Sequence, residues 1–306
     1  MHSPKLALLS TQPKSLLRLS HSWLLGTLAS LGQIYFQSSA LSGVTLLLCL
    51  YLSGPALALG ALLAIMAANL TARASGFPSG LRQQGLHGFN AALAGIGLCS
   101  SYQLNPALLV WLVAAGILSC GLSQLFLRWR NVPALSLPFI LVMWLAAALD
   151  QASGLQALSS AAASSCSGMP LSYAFCAIGK IAFIDTIALG MLIFAVLTRY
   201  RWHLGTWALL GALLAWVSLL LGDSLWPDSQ IALQASGMGA NCMLVALGLS
   251  VYQRAWPMRL LGCVLCLLLC LLFGRLGLPY FTLPFVLASW TILLLTLAPK
   301  QPATQQ

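Results

Sequence analysis

Side chains able to act on a solute are scarce in this chain, and one of them stands out by its place. Lys180 lies in GKIAFIDTIALG, residues 179–190, with no other basic residue between Arg130 and Arg199. Placing an ammonium in so apolar a stretch costs about 2.5 to 3.5 kcal/mol on insertion scales, so the group must be neutral, paired or wet. The other ionisable residues form no catalytic set. Glutamate is absent, and Asp150, Asp185, Asp223 and Asp228 are scattered, as are the four histidines. Nothing is spaced as an acid–base pair or an activated nucleophile, so the sequence predicts neither enzyme nor cofactor. His87, just before GFN, is expected to make a structural hydrogen bond rather than line a vestibule. The nine cysteines, an odd number mostly inside apolar runs, argue against a disulfide framework. Cys263, Cys266 and Cys270 share one helical stripe and read as packing rather than as metal ligands.

Such residues need elements to hold them, and composition says which. Of 306 residues, 60% are hydrophobic and 6% charged, with a mean hydropathy of +0.92. A soluble domain cannot bury that much apolar surface, so the class is an all-α integral membrane protein. Runs long enough for spans of about 20 residues fill nearly everything from Trp23 to Leu297. The net charge of +10 is spread over singles and pairs that flank those runs (Arg73, Arg82; Arg128, Arg130; Arg199, Arg201; Arg254, Arg259). Flanking charges of this kind set topology; no basic stripe exists to hold a nucleic acid. Lys5, Lys14 and Arg18 precede no clear cleavage site, so the expected arrangement puts both termini, with Lys300, in the cytoplasm of a bacterium. The expected location is the inner membrane.

The chain also matches itself. GQIYFQSSALSG at 32–43 pairs with GKIAFIDTIALG at 179–190, GFNAALAGIGL at 88–98 with GANCMLVALGL at 239–249, and VPALSLPFILVMW at 132–144 with LPYFTLPFVLASW at 278–290. Three blocks in one order indicate tandem copies of one unit. Gly-Pro, Asn-Pro and Trp-Pro breaks divide each half into about five spans, an odd number that predicts inverted repeats. The expected parts are an N-terminal segment at 1–19, repeats at 20–150 and 165–298, and a tail at 299–306. Matched polar or helix-breaking residues become the candidates for a solute path: Gln33 with Lys180, Asn90 with Asn241, Ser136 with Thr282, and Pro138 with Pro284.

These blocks resemble the urea transporter family over roughly residues 20–297. The resemblance implies a homotrimer whose subunits each hold a narrow passive pore for urea or a similar small amide at the repeat interface. It implies two half-spanning helices ending at Gln33 and Lys180, whose terminal carbonyls accept from amide N–H groups. It further implies that Ser136 and Thr282 supply hydroxyls at a central constriction. Phe36, Phe89 and Leu93 in the first half, with Ile181, Phe183, Ala240 and Leu244 in the second, would wall a flat apolar slot. Two positions depart from the family pattern. Lys180 stands where glutamine or glutamate is expected, and Ala240 where the first half has Phe89. The favoured expectation folds the Lys180 ammonium onto the carbonyls of its own helix end, with Ala240 supplying room, and pairing with Asp185 ranks second. Two alternatives stay open: a path for a small anion or carboxylated amide using Lys180, and a non-conducting relative plugged by it.

Overall fold

The computed structural model describes residues 13–128, 132–158, 169–225 and 231–296. The first half contains α1 (Pro13–Gln33), α2 (Ala40–Ser53), α3 (Pro55–Ala74), α4 (Ser79–Gln83), α5 (Phe89–Ser101), α6 (Pro106–Arg128) and α7 (Leu137–Ser153). The second contains α8 (Pro170–Lys180), α9 (Ile187–Tyr200), α10 (Trp202–Leu225), α11 (Ile231–Val251), α12 (Trp256–Arg275) and α13 (Leu283–Leu295). Proline opens several of them, as at Pro55, Pro106 and Pro170, where its missing N–H costs nothing and its fixed φ suits the first turn. Among the described residues four helices are long and apolar enough to cross a membrane: α3, α6, α10 and α12. Shorter apolar helices, α2, α5, α7, α9 and α13, and the apolar part of α11 from Gly237 to Val251 accompany them. At 11 residues α8 is too short to cross.

The matched blocks fold alike. The turns after α1 and α8 share three backbone bonds: Tyr35 and Ala182 N–H on Gly32 and Gly179 O, Gln37 and Ile184 N–H on the same two oxygens, and Phe36 N–H on Gln33 O with Phe183 N–H on Lys180 O, the last at 2.9 and 3.1 Å. Phe36 and Phe183 both take φ of 58°, a left-handed conformation that costs a non-glycine residue about 1 to 2 kcal/mol. A second matched pair, Leu135 and Phe281, takes φ of 49° and 45°. Gly43 in α2 and Gly190 in α9 lie against the backbones of Leu28 and Phe175, where a Cβ would overlap a carbonyl oxygen.

Contacts between the halves are reciprocal. Trp144 Nε1 donates to Pro279 O at 2.7 Å, and Trp290 Nε1 to Pro133 O at 2.8 Å. Phe36 meets Phe285 edge-on at 6.3 Å, and Phe183 meets Phe139 likewise at 6.2 Å. The core is a continuous apolar cluster with Tyr173, Phe139 and Phe285 wholly buried. Leucines and valines such as Leu48, Val110 and Leu268 point outward, as a lipid-facing surface requires. Cys263, Cys266 and Cys270 are free and buried along α12. Cys176 on α8 is disulfide-bonded, a bridge that the sequence pattern did not suggest.

Candidate functional site

The site begins at two helix starts. Ser136 and Thr282 are the N-cap residues of α7 and α13, yet neither side chain caps its helix. An N-cap hydroxyl ordinarily accepts from the N–H of the second or third helical residue. Here Pro138 and Pro284 have no N–H to offer, and an asparagine from elsewhere takes the next one. Asn90 Oδ1 accepts from Phe139 N at 3.3 Å while its Nδ2 donates to Leu135 O at 3.0 Å. Asn241 does the same for α13, with Phe285 N at 3.1 Å and Phe281 O at 2.8 Å. The asparagines are therefore clamps for the left-handed turns at Leu135 and Phe281. Relieved of capping, the hydroxyls of Ser136 and Thr282 bond each other across the two halves at 2.7 Å.

Two helix ends complete it. Gln33, the last residue of α1, donates Nε2 to Ser38 Oγ at 2.9 Å, and Ser38 Oγ donates to Gln84 O at 3.1 Å. Because the serine has only one proton and gives it to Gln84, it must accept from the glutamine NH2. That fixes the amide's orientation and leaves Gln33 Oε1 as an acceptor. At the end of α8 the Lys180 ammonium pairs with the Asp185 carboxylate, their side chains 24% and 51% exposed. This corrects the expectation that the ammonium would fold onto the α8 carbonyls. The cause is local: the turn that returns the chain after α8 carries Asp185 back beside Lys180, and an ion pair offsets more of the desolvation cost than neutral carbonyls do.

A cavity of about 680 Å³ runs between the halves. Eight of the eleven residues expected at the site line it: Gln33, Phe36, Phe89, Leu93, Ser136, Ile181, Leu244 and Thr282. Lys180, Phe183 and Ala240 do not. Phe183 instead packs on Phe139, and Ala240 is buried. Arg254 also lines the cavity, and among the described residues its Nε has no hydrogen-bond partner. In sequence Arg254 reads as a flanking topology charge, and only the fold of the α11–α12 loop brings it to the cavity. Among the described residues the lining includes no carboxylate. His87 lies outside the cavity lining, buried, with Nε2 2.9 Å from Gln124 Oε1 and its ring stacked on Phe77. Burial pushes its pKa below the ordinary histidine value, which suits a structural role.

The arrangement offers hydrogen-bonding groups at a few points of an apolar cavity. A search among curated proteins finds no match. Compared with known families, residues 24–297 match the one described as Urea transporter, nearly the whole chain. The protein is a multi-pass membrane protein that belongs to the urea transporter family, a family of transport proteins rather than enzymes.

Proposed function

We propose that this protein is a passive, channel-type pathway for urea, or a close small amide, through the cavity between its halves. The observation that carries this reading is the Ser136–Thr282 hydroxyl pair, set in an apolar lining between helix ends of both polarities. The starts of α7 and α13 bring partial positive charge and hydroxyls to the middle, while the end of α1 brings carbonyls and Gln33 Oε1 to one mouth. Urea has four N–H donors for the mouth and one oxygen for the middle, and its flat shape suits a passage edged by Phe36 and Phe89. The same passage strips water and centres two positive helix ends, so cations are disfavoured.

The reciprocal tryptophan and phenylalanine contacts support reading residues 20–150 and 165–298 as repeats about a pseudo-two-fold axis, inverted in the membrane. Arg73, which stacks on Trp23 of α1, belongs with Arg82, Arg128 and Arg254 to the segments around the Gln33 mouth. By the positive-inside rule that mouth faces the cytoplasm, together with both termini. A bacterial inner-membrane homotrimer is part of the same reading, and cross-linking in native membranes tests it.

The deciding experiment is urea uptake by proteoliposomes of the purified chain, followed by light scattering. Uptake well above protein-free liposomes supports the proposal, and none refutes it. One observation favours a second reading. Lys180, Phe183 and Ala240 stand apart from the cavity lining, as a non-conducting relative closed at that mouth would have them, and liposomes as tight to urea as empty ones would select it.

A further inference from the structure

The matched turns after α1 and α8 keep one tie in two chemical forms. In the first, Gln33 reaches across the turn to Ser38, the residue before the α2 N-cap Ser39. In the second, Lys180 reaches across the same turn to Asp185, the residue before the α9 N-cap Thr186. Everything around the two ties corresponds: the preceding Gly32 and Gly179, the left-handed Phe36 and Phe183, and the close-packed Gly43 and Gly190. An amide–hydroxyl hydrogen bond in one half is thus an ion pair in the other, with both members changed.

Changing only one member would be costly. A lysine facing a serine has no counter-charge, and its nearest alternative is the end of its own helix, where the dipole favours a cation. Those carbonyls are already in use. Gly179 O accepts from Ala182 and Ile184, Lys180 O from Phe183, and Ile178 O from Tyr35 Oη at 2.8 Å. Gly179 O is thereby filled, whereas Lys180 O and Ile178 O each keep a second lone pair, and that lone pair is what a passing N–H group needs.

We infer that Asp185 is a positioning residue for permeation: it draws the Lys180 ammonium off the α8 carbonyls and leaves their free lone pairs to the solute. The inference rests on the proposed passage of urea and deepens it. Lys180 is then neither plug nor solute ligand, but half of a charged version of the Gln33–Ser38 tie.

The test compares four full-length proteins in proteoliposomes: the parent, Asp185→Ser, Lys180→Gln, and the Lys180→Gln/Asp185→Ser double variant, which rebuilds the first half's tie. Asp185→Ser should lose urea permeability by about 5-fold or more, the effect of tying up one or two acceptors. The double variant should recover to at least the parental rate. Melting temperatures in detergent supply a readout that needs no urea, with both single variants below the parent and the double. Asp185→Asn stands in if the serine variant does not fold. Parental flux in Asp185→Ser, or a double variant no faster than Asp185→Ser, overturns the inference. A parent impermeable to urea overturns the transport reading, and this inference with it. In that case the melting cycle still decides whether the two residues are a pair.

Discussion

Thr282→Val tests the centre of the pathway with the least disturbance. Valine keeps the branched shape of threonine and replaces its hydroxyl by a methyl group. The Ser136 and Thr282 oxygens lie 2.7 Å apart, so one hydroxyl donates to the other. The donor's oxygen keeps both lone pairs for N–H groups, and the acceptor keeps its own proton for a carbonyl oxygen. The pair thus presents an acceptor and a donor together, the complement of an amide, without breaking its own bond. In the variant Ser136 still has one proton and two lone pairs, but the second oxygen and the sites it offered are gone. One hydrogen bond to the solute is lost where water cannot replace it, about 0.5 to 1.5 kcal/mol, or a fall in permeation rate of about 2- to 12-fold. Ser136→Ala with Thr282→Val removes every hydroxyl there, and its loss should exceed the product of the single effects because neither partner can cover for the other. Stopped-flow light scattering under an inward urea gradient measures both. A folded Thr282→Val protein with parental urea permeability refutes the reasoning.

Gln33→Leu removes the acceptor Oε1 and the tie to Ser38, and should slow urea about 2- to 10-fold while leaving the elution volume of the purified protein unchanged. Arg254→Gln removes the guanidinium that lines the cavity; urea flux should stay within about twofold while methylammonium leak rises, since a like charge at a mouth repels cations. An unchanged leak would clear Arg254 of any part in exclusion. Asn241→Leu leaves Phe285 N and Phe281 O unpaired, a cost of about 2 to 4 kcal/mol for two buried groups, seen as a melting temperature lower by several degrees and slower flux.

Local signals carried much of this molecule. Proline and glycine mark the helix starts because they act through the backbone next to them, and the three repeated blocks delimit the halves because each copy folds into the same turn. Ser136 and Thr282 were legible because their LPF blocks match. The asparagine clamps were legible only as a matched pair, since Asn90 works on Leu135 and Phe139, far along the chain. Arg254 was not legible at all, because loop charges beside spans look alike until the fold turns one inward. The Lys180–Asp185 pair was misjudged for a specific reason. The turn after α8 doubles the chain back, and the clue that it does so lay in Ser38 of the other copy, a residue with no charge to attract notice.

The reciprocal tryptophans carry a consequence for the way the halves meet. Trp144 bonds Pro279 and Trp290 bonds Pro133, so each half supplies a donor and a carbonyl to the other. Such a set of contacts is what two identical subunits about a true two-fold axis make. A single half meeting its own copy would satisfy both bonds, as a serine hydroxyl would pair with another serine hydroxyl at the centre. A chain whose halves meet in this way is free to let its two mouths differ, one holding an uncharged tie and the other Lys180 and Asp185 together. Halves expressed as separate chains in one cell should therefore find each other.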